Sequence, residues 1–304
     1  MIPPRCSDPS RLFVGIDLWW WWRVAFGIVC KPTDDPVIKC PEMRPILFGW
    51  LAHLIGSPRP AYIAAFLDSV GPTWRHLETA HLPPEKRYKA GRSKCPPEYW
   101  AEVHGFIEVL KLHSIPCLRA EGWEADDVAA TVTRRALAAG LDVALVTLDH
   151  DWRAIARDRD ATGGEVYCWS YGRRDARTIG PAEMLVDDGL GVTPARVPDM
   201  IAICGDGDNI EGVRGVGAKK ARIALTRWGD VAGVLAATAE DVDMLEASVD
   251  EAVKRRDKMK RVVARGSLVD AQAALDRAIE AQAFAATAWA TRRFAGPSLP
   301  DARQ

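Results

Sequence analysis

Acidic side chains recur where a divalent cation would find oxygen ligands: Asp17, Asp68, Glu124, Asp126, Asp127, Asp149, Asp151, Asp206 and Asp208. Clustered carboxylates are the hard donors that such ions prefer. The densest stretch, 205–221, joins two kinds of chemistry. Asp206 and Asp208 offer carboxylates. Gly212, Gly215 and Gly217 then form a Gly-Val-x-Gly-Val-Gly hairpin, leading into a helix that opens with Lys219 and Lys220. Glycines admit close backbone approach, and exposed amides at a helix N-terminus suit a phosphate. Acid for a metal beside backbone for a phosphate points to metal-dependent chemistry on nucleic acid. Each part also has an ordinary role: Gly-Asp stretches make turns, Asp149 or Asp151 can cap a helix, and Glu124 with its neighbours can complement a helix dipole.

The conjunction of these acids carries more than any one of them. Carboxylates gathered at one edge repel and raise one another's pKa values unless cations neutralise them. Magnesium or manganese does this, and two such ions roughly 4 Å apart are the common device for phosphodiester hydrolysis. No Ser, Cys or His nucleophile is needed. The histidines at 53, 76, 81, 104, 113 and 150 form no ligand pair or triad.

Positioning these acids is the task of the elements between them. Buried strands are expected at 11–18, 62–67, 115–118, 142–148 and 166–170, and helices at 44–55, 98–113 and 124–139. This alternation predicts an α/β domain with a mostly parallel sheet. Ligands bind beyond the carboxyl ends of such strands, where Asp17, Asp68 and Asp149 fall. Glu124 and Asp127 share one face of the helix after the third strand. The stretch 70–97 is polar and basic, with Lys86, Arg87, Lys89, Arg92 and Lys94 close together. Helices follow at 181–187, 194–204 and from 218 to about 265. A second basic set lies at Lys254, Arg255, Arg256, Lys258, Lys260 and Arg261, and an Ala-rich tail closes the chain.

Composition sets the outer limits. Of 304 residues, 48% are apolar and 27% charged, as in soluble globular proteins, and no run is long enough to span a membrane. No secretory signal is expected at the N-terminus. Seven scattered cysteines without a Cys-x-x-Cys pair indicate reduced thiols in a cytoplasm rather than a zinc site. The net charge of −1 does not by itself advertise nucleic-acid binding.

Taken in order, Asp17, Asp68, Tyr-Lys-Ala-Gly-Arg at 88–92, Gly-Trp-Glu-Ala-Asp-Asp at 122–127, Thr-x-Asp-x-Asp at 147–151 and the segment 205–221 resemble the 5′-nuclease family of flap endonucleases, phage 5′→3′ exonucleases and the nuclease domain of bacterial DNA polymerase I. The resemblance spans about 11–268. It implies a PIN-like sheet flanked by helices (1–176) with a helical arch at about 74–97. A C-terminal all-helical helix-hairpin-helix (H3TH) domain (177–268) and a helical tail (269–304) would follow. It further implies two Mg²⁺ or Mn²⁺ ions. Asp17, Asp68, Glu124, Asp126 and Asp127 would lie nearer the first, with Asp149, Asp151, Asp206 and Asp208 at the second. Lys89 and Arg92 match the arch residues that steer the scissile phosphate, with Arg75 as a third. Lys86, Arg87, Gly212, Gly215, Gly217, Lys219 and Lys220 would contact DNA, with K⁺ held by hairpin carbonyls.

The sequence departs from the family pattern at several points. Gly205-Asp206-Gly207-Asp208-Asn209 is one residue shorter than the usual Gly-Asp-x-x-Asp-Asn. Leu18 replaces a glycine after Asp17, and four tryptophans precede Arg23. Most of these tryptophans are expected to pack under the sheet, with stacking on flap nucleotides as the other role. Leu148 and Trp123 replace a common Gly and Tyr without removing a ligand. The expectation is therefore a monomeric, stand-alone enzyme of phage or small bacterial type acting on DNA with a 5′ end or flap. Two alternatives are a junction-binding protein that has lost catalysis and a related ribonuclease acting on RNA–DNA hybrid. No polymerase or clamp partner is identified.

Overall fold

A computed structural model of the chain describes residues 5, 8–57, 59–92, 94–147, 149–160, 163–170, 177–186, 191–205, 208 and 212–237. Two compact units divide it, Met1–Val197 and Pro198–Gln304. The first is built on a six-stranded sheet of order β3-β2-β1-β4-β5-β6. Its strands are β1 (Leu12–Asp17), β2 (Tyr62–Phe66), β3 (Cys117–Leu118), β4 (Asp142–Val146), β5 (Val166–Trp169) and β6 (Thr178–Ile179). The first five pair in parallel and β6 joins antiparallel to β5. That edge strand carries the sheet, and with it the first unit, past residue 176.

Every residue of β1 is buried, as expected of a central strand covered on both faces. Gly15 lets the neighbouring rows close: a Cβ there would meet the Phe66 ring at 2.7 Å. Helices α1 (Leu18–Val29), α2 (Pro36–Lys39), α3 (Met43–Gly56), α4 (Trp74–Glu78) and α5 (Pro97–Leu112) precede β3. Helix α6 (Ala125–Ala138) leads into β4, α7 (His150–Arg153) follows it, and α8 (Pro181–Val186) comes after β6.

The run Leu18–Val29 was not anticipated as a helix. Asp17 caps it by accepting the Trp20 amide, and its apolar side is buried through Leu18, Trp21, Trp22 and Ala25. Trp21 and Trp22 are fully buried in the core shared with α3 and α5, so these two tryptophans do pack against the sheet. Trp19 and Trp20 are only partly buried. The stretch 74–97 holds the five-residue α4 and a 3₁₀ turn at Pro84–Lys86, joined by turns.

The second unit contains most of α9 (Val197–Cys204), then α10 (Ala218–Trp228) and α11 (Val231–Ala236). Asp206, Gly207 and Asn209 lie outside the described residues, as do the basic set at 254–261 and the tail. No helix among the described residues is long and apolar enough to cross a membrane.

Candidate active site

The order of the sheet explains where the acids meet. The chain runs outward from β1 through β2 to β3, then returns to place β4 on the other side of β1. The strand order reverses direction between β1 and β4, and ligands of open α/β sheets bind beyond the carboxyl ends of the strands at such a switch point. Asp17 ends β1, Asp68 follows β2, Glu124 follows β3, and Thr147 and Asp149 follow β4. The sequence-predicted acids of this unit therefore gather at one edge. Asp17 senses the charges of Asp149 and Asp68, Asp68 that of Glu124, and Asp126 those of Asp127, Asp151 and Glu124.

Several acids hold the local backbone as well. Asp17 accepts the Trp20 amide and, at 2.8 Å, the Thr147 hydroxyl, which itself accepts the Asp149 amide. Thr147 thus ties the ends of β1 and β4 together. Asp149 caps α7 through the Asp151 amide, and Glu124 caps α6 with its own amide donating to Asp127. Asp68 accepts the Ala125 amide at 2.9 Å, joining the end of β2 to the start of α6. The cap envisaged for Asp149 is real, and Glu124, expected to complement the helix dipole, caps α6 as well.

Two cations stand among the acids. The Arg75 guanidinium donates to Asp127 at 2.9 Å and Asp126 at 3.1 Å, and lies 3.3 Å from Glu124. Lys89 donates to Glu124 at 2.9 Å and sits 3.7 Å from Asp68. Lys89 takes a left-handed backbone, φ 59°, which a side chain with a Cβ rarely adopts. That turn points its ammonium inward. Glu124 also receives the Tyr88 hydroxyl at 2.9 Å and the Thr73 hydroxyl at 3.1 Å. Among the described residues no three acidic, His or Cys side chains close around an ion-sized space, and Arg75 and Lys89 bond to Glu124 within the cluster.

These cations neutralise the cluster unevenly. Burial would raise Glu124, but Lys89 and Arg75 outweigh it and hold its carboxyl below the usual range. Burial pushes Asp17 up to about 7 with no cation to oppose it, and pushes Asp126 to about 7 despite Arg75. Asp68 is raised for the same reason. The donor set is hard oxygen, and it retains uncompensated buried acid. Its chemistry therefore fits a divalent cation.

The remaining candidates fall into three groups. Arg92 is exposed but close enough to favour the charged form of Asp68. Lys86 and Arg87 are exposed, and Arg87 donates to the Leu82 carbonyl. In the second unit, a Cβ on Gly212 would strike the Cys204 carbonyl carbon at 2.1 Å, and Gly215 has φ +79°, so both positions demand glycine. Gly217 opens α10 with empty space beside its Cα. Lys220 donates to the Gly215 carbonyl, Lys219 is exposed, and Asp208 is partly buried.

Sequence reasoning overlooked Thr73, Tyr88 and Thr147 as parts of the site. Tyr88 and Thr147 sit inside the quoted motifs beside Lys89 and Asp149. A hydroxyl next to a predicted site residue was the available signal.

Residues 45–185 match the model of the 5′-3′ exonuclease, N-terminal resolvase-like domain. The chain is 31% identical over 204 residues to DNA polymerase I of Chloroflexus aurantiacus, covering 67% of this chain and 19% of that protein. It is 32% identical over 227 residues to DNA polymerase I of Mycobacterium leprae, covering 73% and 23%. It thus spans about a fifth of the length of these relatives. In fold it is similar to T5 5′-exonuclease with divalent zinc ions bound, at a TM-score of 0.56 and 19% identity, over 93% of this chain and 94% of that one. With the acids ranged along one sheet edge and the family domain lying across that edge, the chain belongs to the 5′-3′ exonuclease family.

Proposed function

We propose that the chain is a structure-specific 5′ nuclease that hydrolyses DNA phosphodiester bonds with two divalent cations, Mg²⁺ or Mn²⁺. The observation that carries this reading is the set of acids ranged at the strand ends and at the start of α6, with Asp17 and Glu124 buried among them. Asp17, Asp68, Glu124, Asp126 and Asp127 would hold one ion, and Asp149 and Asp151 would serve the other. When bound, such ions lower the pKa of a water and stabilise charge on the phosphate and leaving oxygens.

The chain's own cations complete the chemistry. Arg75 and Lys89 lie among these acids, and with the acids holding metal their charges would be placed to meet the phosphate. Arg92 and the exposed Lys86 and Arg87 draw in the strand. The Gly217 amide and Lys219 hold duplex through its backbone at the start of α10, with K⁺ on hairpin carbonyls. Products carry a 3′-hydroxyl and a 5′-phosphate. The arch is residues 74–97, and the hairpin domain begins after the sheet. The enzyme works as a monomer in the cytoplasm.

A 5′-labelled flap incubated with Mg²⁺ tests this directly, with release of short labelled products expected. Tight binding to that flap without cleavage in either Mg²⁺ or Mn²⁺ would leave a junction-binding protein instead. A matched RNA–DNA hybrid in the same gel separates the ribonuclease reading.

A further inference from the structure

The Glu124 carboxylate is held at both of its oxygens. The Thr73 hydroxyl donates to Oε1 at 3.1 Å and the Tyr88 hydroxyl to Oε2 at 2.9 Å. The last torsion of a glutamate is otherwise broad. A carboxylate gripped at both oxygens keeps one plane, so its remaining lone pairs face a fixed direction. Thr73, Tyr88 and Glu124 are all buried, which strengthens the grip.

Both hydroxyls are braced by one residue, the half-buried His76. It lies in the first turn of α4, where a side chain can accept the amide of the residue before the helix. The Thr73 amide donates to its Nδ1 at 3.3 Å, and the Thr73 hydroxyl oxygen lies 2.8 Å from the same nitrogen. The His76 ring also meets the Tyr88 ring edge to face, with centroids 5.2 Å apart. Tyr88 is tied to α4 a second time, since its amide donates to the Thr79 hydroxyl, which itself donates to the Arg75 carbonyl. His76 therefore touches the two groups that orient Glu124 while standing behind them.

We propose that His76 is a positioning residue for Glu124, fixing the plane of its carboxylate for a divalent cation by bracing Thr73 and Tyr88 together. The assignment rests on the nuclease reading and adds to it a residue that acts only through two hydroxyls. Partners behind a metal-holding side chain are commonly worth about 10- to 100-fold in metal affinity or activity. Capping of α4 alone would give His76 a share in stability and none in chemistry.

The test combines calorimetric Mn²⁺ titration without DNA, flap kinetics in Mg²⁺ and melting in EDTA, all on the whole chain. His76→Ala should weaken Mn²⁺ binding and lower kcat by about tenfold each, with KM for the flap unchanged. His76→Gln keeps an acceptor for the Thr73 amide but loses the ring beside Tyr88. It should melt as wild type does and still show part of both losses. In a Thr73→Val, Tyr88→Phe background the two hydroxyls are gone, so His76→Ala should cost nothing further in kcat. Wild-type kcat and Mn²⁺ affinity in His76→Ala, or an equal loss in that background, overturns the proposal. Should His76→Ala fail to fold, unchanged kcat and Mn²⁺ affinity in His76→Gln overturns it instead. A wild type that binds Mn²⁺ without cleaving the flap removes the nuclease reading, and the Mn²⁺ affinities of the variants then decide this one. A wild type that takes up no Mn²⁺ overturns both.

Discussion

Lys89 divides two regions that treat charge in opposite ways. On one side, acids are drawn from four strand ends into a crevice where Asp17 and Glu124 are almost fully buried. On the other, Arg23, Arg92 and Lys94 ring an aromatic cavity and stay exposed. The acids are tied to the fold as caps and strand-end links; the cations stand at a surface. Buried charge is costly unless paired, whereas exposed charge is nearly neutral in stability. Substitutions on the acidic side should therefore mix stability with chemistry, and those on the basic side should change binding alone.

The sharpest contrast lies within the acidic side. Asp149→Asn should abolish cleavage, by about a thousandfold or more, while leaving melting and DNA binding nearly unchanged, because Asn caps a helix as well as Asp does. Unaltered activity would remove Asp149 from the metal set. Glu124→Ala should lose activity and also about 2–4 kcal/mol of stability, since Lys89, Tyr88 and Thr73 each lose one of their contacts. Urea denaturation of the two variants in EDTA separates these outcomes.

Lys89→Met tests the dividing residue itself. Removing the ammonium from Glu124 and Asp68 should raise divalent-metal affinity, by about tenfold, while cleavage falls by a similar factor. Calorimetric metal titration beside flap kinetics would expose the split; a parallel loss of both would make Lys89 a structural support.

Acidity offers a smaller effect with a definite sign. Asp17 and Asp126 are pushed up to about 7 by burial. Above the ordinary carboxylate range and up to that value, the folded metal-free chain keeps protons that the unfolded chain has released. Their contribution is fully present at low pH and is lost as pH rises through about 7. Melts in EDTA should fall between about pH 5.5 and pH 8, and Mg²⁺ should raise melting more at the higher pH. An equal Mg²⁺ effect at both would separate these acids from the metal.

Gly217→Ala should be the mildest change, within about 0.5 kcal/mol in stability, because its Cβ meets nothing. A loss of duplex affinity of a few-fold, read by fluorescence anisotropy, is expected if the α10 amides approach the phosphate backbone. Gly212→Ala cannot make that distinction, since its Cβ would collide with the backbone at Cys204.

The parallel sheet and the edge where its acids gather were legible from the chain. Apolar runs that end in aspartate are local patterns, and the switch-point rule converts them into one crevice. Helix α1 was not legible, because consecutive tryptophans blur the helical period; its burial through Trp21 and Trp22 depends on partners from α3 and α5. The family resemblance also suggested Arg75 and Lys89 as cations that steer phosphate. Their actual bonds to Glu124, Asp126 and Asp127 depend on a left-handed turn at Lys89 and a contact between residues some fifty positions apart.

What the sequence determined by itself was the inventory of carboxylate donors, their order along the strands and the glycines a tight hairpin requires. Those follow from periodicity and from backbone sterics, which act over a few residues. Tertiary structure alone decided which acids are neutralised by the chain's own cations, which are left near 7, and that Trp19 and Trp100 share one cavity. Pairing, desolvation and cavity shape are set by groups distant in sequence, and only folding brings those groups within reach of one another.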